Sequence, residues 1–203
     1  MADNNTIDYD KDFFIWYGTA SESEKELSAT VAKYEEKYFR EMIFKPDSII
    51  SDFIKIEYED SNDYQDVPEK LRGITNYRYY IEDLNGDCIG MVNAKDRTMT
   101  IAPEYASDKV TILHEMIHIY INIINEFYCF FHDILFLCLY NELKSKISDL
   151  DQRILSHSHA FRSEDITRKG GEHGILFFLK SLDLDLRCGY KLGTVCSYGR
   201  DNM

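Results

Sequence analysis

TILHEMIHIYI, residues 111–121, decides the reading of this chain. It holds His114-Glu115-Met116-Ile117-His118, the pattern H-E-x-x-H. On a helix, residues i and i+4 share a face, so His114 and His118 can present two imidazoles to one ion. Glu115 lies one position round from His114. It can reach a water that such an ion activates without being a ligand itself, as a general base requires. The residues around the motif, Ile112, Leu113, Met116, Ile117, Ile119 and Ile121 among them, are apolar on nearly all faces. A buried helix does not carry two histidines and a glutamate unless they are paired, because an unpartnered buried polar group is costly.

The chain before the motif reads as short strands. NYRYYIEDLNGDCIGMVNAKDRTMTIAP (76–103) predicts an antiparallel meander. Asn85-Gly86 marks one hairpin turn, since both central positions of a type I′ turn need positive φ. Residues 94–97 mark a second turn before the strand 98–102, which is also the candidate edge for an extended substrate. Pro103 stops that strand, and Ser107 or Asp108 caps the motif helix. Further upstream, residues 1–20 read as a polar arm ending in the aromatic anchor FFIWY. Residues 21–44 read as a helix, with Ser21 and Glu24 at capping-box spacing and a stripe of Leu27, Val31, Tyr34 and Tyr38. Residues 49–59 alternate like a strand, and 60–72 form an acidic loop. Downstream, helices are expected at about 127–148, 149–160 and 173–186, then a tail at 187–203.

A catalytic zinc site takes three protein ligands and leaves one position open. The extension H-E-x-x-H-x-x-G-x-x-H fails, because Ile121 and Ile124 stand at its Gly and His positions. Two later histidines are candidates. His132 lies in FHDILF, on one helical face with Phe136, Leu139 and Leu143. His173 lies in GGEHGILFF, after Gly170-Gly171, which permit a tight turn. It opens a helix, where the macrodipole disfavours imidazolium, and a metal ligand must be neutral. These arguments favour His173, with His132 as the alternative. His157 and His159 form H-x-H in a polar segment and are expected in solvent.

HEMIHIYI, preceded by the strands, resembles the SprT-like zinc metalloproteases, the group that includes Spartan. Their pattern is H-E-x-x-H, a loop, then H-G-x-x-F/W opening the next helix. The resemblance spans about residues 75–180. It implies a zincin-like fold, Zn2+ as cofactor, and hydrolysis of a peptide or protein substrate. By spacing it puts the third ligand on His132 with Phe136. By local motif it puts it on His173 with Gly174 and Phe177. Asp133 departs from the first option, where Gly is expected, and the second needs an insertion of about 40 residues. In this family proteolysis targets DNA-bound proteins.

Composition argues against carrying that target over. Lys plus Arg number 23 against 36 Asp plus Glu, a net charge of −13. The first 70 residues hold 18 acids and 8 bases. Such a surface repels phosphates and anionic headgroups, so nucleic acid is not expected as a partner. The most apolar run, 119–140, is broken by Asn122, Asn125, Glu126, His132 and Asp133, so no membrane span is expected. Five cysteines without a C-x-x-C pair read as reduced, buried thiols in a cytoplasm. The expectation is therefore one α+β domain over 1–203, a small antiparallel or mixed sheet packed on helices with the H-E-x-x-H helix central. Its function is expected to be a zinc metallopeptidase with Glu115 as base. The alternative is an inactive metal-binding or partner-binding regulatory module. For an oxyanion partner, Tyr190, Arg187 and Tyr198 are candidates.

Overall fold

The computed structural model describes residues 9–39, 77–86, 88–127, 129–160 and 173–199. The strand expected at 49–59 and the loop at 60–72 lie outside the described residues. What is described is α+β: six α-helices and a three-stranded mixed sheet.

Much of the expected N-terminal arm is helical, and its residues 1–8 lie outside the described residues. Residues Tyr9–Thr19 form helix α1, and Trp16 anchors it in the core with its indole edge-on to Tyr79, 5.8 Å between ring centres. Helix α2 follows at Glu22–Tyr34. Ser21 and Glu24 close the expected capping box, and Leu27 and Val31 face inward. The helix then widens into a π-turn, Glu35–Phe39, which buries Tyr38 and Phe39.

The sheet differs from a meander. Strands β1 (Arg78–Ile81), β2 (Gly90–Asn93) and β3 (Thr98–Ile101) lie in the order β1-β3-β2. β1 runs parallel to β3, and β2 antiparallel to it. The second turn is as expected: Asp96 accepts from the Asn93 amide at 2.7 Å and Arg97 takes a left-handed φ of 48°. Asn85-Gly86 is not a hairpin, because β3 sits between the two strands it would join. The physical reason is burial: Met99 and Ile101 are both fully buried, so TMTI takes the centre. The strand 98–102 is thus no edge; among the described residues, the edge strand beside the motif helix is β2.

Helix α3 (Lys109–Phe127) carries the motif and packs on β2 and β3. Asp108 is its cap, accepting from the Thr111 amide at 2.8 Å and the Thr111 hydroxyl at 2.7 Å. Helices α4 (Cys129–Lys144) and α5 (Leu150–Ala160) follow. Helix α6 (Ile175–Cys188) runs against α3, α4 and α5 and is buried from Leu176 to Asp185. Its buried Lys180 is paired with Asp183 at 2.6 Å and donates to the Tyr38 carbonyl at 2.8 Å. A buried charge needs such partners, and this pair ties α6 to the end of the π-turn. Arg187, a sequence candidate for the site, instead donates to the Tyr38 and Lys37 carbonyls. Gly189, at φ 72°, ends the helix in the left-handed conformation.

Among the described residues, no helix is long and apolar enough to cross a membrane. The four described cysteines, Cys88, Cys138, Cys188 and Cys196, are free, but none is buried; Cys88 is exposed.

Candidate metal centre

His114 and His118 stand one turn apart on α3, as their spacing requires. His173 enters from the residue before Gly174, the N-cap of α6. His114 Nε2 lies 3.1 Å from His173 Nε2 and 3.3 Å from His118 Nε2. All three ligand atoms are within 4.8 Å of one another, and the three histidines could hold a metal ion. Nitrogens sharing one ion at about 2.0–2.1 Å lie about 3.0–3.4 Å apart, so these two separations are compatible with a common ion.

The donor chemistry fits as well. His114 Nδ1 is 2.8 Å from the Val195 carbonyl. A carbonyl only accepts, so Nδ1 carries the proton and Nε2 turns its lone pair toward the other two rings. Burial pushes the His114 pKa down to about 2, against the opposing pull of the Val195 bond; burial and then His173 push that of His118 down to about 3. Both rings are therefore neutral at physiological pH, the form that binds metal. Phe177, fully buried, lies 4.8 Å from His114, 4.7 Å from His118 and 4.7 Å from His173, ring centre to ring centre. One apolar wall thus backs all three imidazoles and keeps water to one side.

His132 is elsewhere. It is half-buried on α4, its Nδ1 3.7 Å from Asp133 Oδ1, and is not among the clustered histidines. Of the two candidates, the structure brings His173 to the motif and not His132. His157 corrects the solvent-exposed expectation. It is buried on α5, donates from Nε2 to the His173 carbonyl at 2.8 Å, and stacks on Phe178 at 4.2 Å. The bond to His157 braces the backbone of a candidate ligand. The side chain of His159 lies outside the described residues.

Glu115 is buried and held from two sides. The Tyr198 hydroxyl donates to its Oε1 at 2.7 Å, while the Tyr198 ring stacks on His114 at 3.6 Å. On the other side lies Gly90 of β2. A Cβ there would stand 2.7 Å from both Cγ and Cδ of Glu115. Tyr190 does not join the site; its ring faces the Lys109 ammonium. The carboxylate and the rings of His118 and His173 open onto a cleft of about 520 Å3, with Met91 and Val92 of β2 on one wall and Ile121 and Asn122 of α3 on another.

Three contributors escaped sequence reasoning: Gly90, His157 and Val195. A glycine inside a strand is a weak signal of close approach, and Gly90 carries it. A backbone carbonyl such as that of Val195 leaves no signal at all.

Comparison with protein families, with curated proteins and with solved structures finds no match to this chain.

Proposed function

We propose that this chain is a zinc-dependent metallopeptidase on a zincin-like scaffold, with His114, His118 and His173 as ligands and Glu115 as general base. The observation that carries this reading is the convergence of three ring nitrogens beside a buried carboxylate at one cleft. Zinc held there would supply a Lewis acid for a peptide carbonyl and bring a water into the neutral pKa range. Glu115 would serve as the proton acceptor and donor beside the cleft, taking a proton from a water there and giving it to the departing amine. Tyr198 orients the carboxylate by donating its hydroxyl to Glu115 Oε1. The edge of β2 offers main-chain groups to an extended peptide, which would lie across the cleft. Phe177 and the buried helices exclude water behind the metal. Imidazoles also suit copper, nickel and iron; zinc is chosen on the H-E-x-x-H pattern beside a third histidine, three protein ligands with one position left open.

The net charge of −13 supports a protein or peptide substrate over a nucleic-acid-bound one. The free thiols suit a reducing, cytoplasmic setting.

The test is metal analysis of the purified chain with cleavage of a peptide library. Glu115→Gln is expected to keep one zinc and lose hydrolysis by about 10²–10⁴-fold. Undiminished turnover by that variant would sink the assigned role. One observation favours a second reading, a partner-binding scaffold that holds metal without turnover: Tyr198 covers both His114 and Glu115. That reading expects bound zinc with no cleavage in either the wild type or Tyr198→Phe.

A further inference from the structure

The turn that follows α6 is clamped by one buried carboxylate. Asp185, on the last full turn of α6, accepts from the Gly193 amide at 2.6 Å and from the Val195 amide at 2.9 Å. Val195 passes the restraint on: its own carbonyl accepts the Nδ1 proton of His114. Three residues later the same turn delivers Tyr198 to Glu115. The turn closes on itself through Gly199, whose amide donates to the Thr194 carbonyl at 2.7 Å.

Metal-ligating histidines commonly give their second N–H to a carboxylate, which fixes tautomer and ring orientation. Here a single residue is interposed between carboxylate and ring. Amide and carbonyl of Val195 belong to one short, fully buried backbone unit, so displacing the first moves the second. An aspartate flanked by Leu184 and Leu186 on an apolar helix is expensive to bury without such a task.

We propose that Asp185 is a positioning residue of the metal centre: through the 193–195 turn it orients His114 for metal binding and seats Tyr198 on Glu115. The proposal rests on the metal-site reading above, and its first readout does not depend on peptidase activity. Asp185→Ala removes both acceptors. Asp185→Asn keeps the shape and one acceptor, so it serves as the conservative rescue. The full-length chain is titrated with zinc alone in competition with a chromophoric chelator, and the His114 Nδ1–H is followed by ¹⁵N NMR.

Zinc binding is expected to weaken about 10–100-fold in Asp185→Ala, as for other partners that orient a metal ligand. Asp185→Asn is expected to fall between it and the wild type. The His114 Nδ1–H signal is expected to move upfield and exchange faster in the same order. A merely structural role would lower the melting temperature and leave both readouts of the folded protein unchanged. That outcome, in whichever of the two variants folds, overturns the proposal. Loss of zinc affinity together with a wild type that cleaves nothing keeps Asp185 in its role and removes the peptidase reading alone.

Discussion

Gly90→Ala is the sharpest perturbation of the base. The backbone of Gly90 is ordinary strand, so alanine meets no conformational strain there. The obstacle is Glu115, whose Cγ and Cδ would each stand 2.7 Å from the new methyl. Carbon atoms rest at about 3.5–4.0 Å, so the carboxylate must retreat by about 1 Å. It has little room, being buried and bonded to Tyr198. A misplacement of about 1 Å costs about 10²-fold in rate, and overpacking costs about 1–3 kcal/mol in stability. For a chain of this size that stability loss lowers Tm by about 2–4 °C per kcal/mol. The atoms nearest the added methyl all belong to Glu115, so zinc content is expected to stay near the wild-type level. The assay is kcat/KM on a cleaved library peptide beside metal analysis and a thermal melt. A Gly90→Ala protein with full zinc and undiminished kcat/KM refutes the claim that Glu115 works from this position.

His173→Ala is expected to lose tight zinc binding, while His132→Ala keeps it; metal content after dialysis reads both, and full occupancy in the His173 variant removes that residue from the ligand set. Tyr198→Phe deletes the hydroxyl on Glu115 and keeps the ring on His114, so kcat is expected to fall about 10–100-fold, the effect of losing one hydrogen bond to a charged group, with KM and zinc nearly unchanged; a rise in activity would instead make the tail a brake. Burial pushes the Asp185 carboxyl up to about 6 from 3.8, with the amides of Val195, Gly193 and Thr194 opposing. The unfolded chain therefore loses this proton first as pH rises, and the folded state loses ground between about pH 4 and 6. Urea unfolding of metal-free protein is expected to show wild-type stability declining relative to Asp185→Asn across that window; a pH-independent difference rejects the assignment.

The motif helix was legible because two demands coincide in it. Apolar residues on every face require burial, and His114, Glu115 and His118 then require partners. Local chemistry narrowed its cap to Ser107 or Asp108 and the third histidine to His173 over His132, and the structure takes Asp108 and His173. The β1–β3 pairing was not legible, since a parallel partner is chosen by which strand is buried deepest, and turn residues such as Asn85-Gly86 do not encode it. α1 was hidden by its acidic, polar start, although Trp16 supplies the burial that fixes it. His157 reads as polar surface in sequence; only the fold supplies the His173 carbonyl and the Phe178 face that bury it. Of the tail, Tyr198 was visible as a side chain, while the Gly193 and Val195 backbone groups that Asp185 holds were not.

The contacts of the centre join distant parts of the chain: His114 to His173 across 59 residues, to Val195 across 81, and Glu115 to Tyr198 across 83. Loop closure over such spans comes late in folding, after local helices have formed. A partly folded chain with α3 alone offers an ion two imidazoles and neither the third ring nor the Phe177 wall. On the proposed reading, tight metal capture would report that α6 has docked and the turn beyond it has locked, and a chain that stalls on the way would hold metal only weakly.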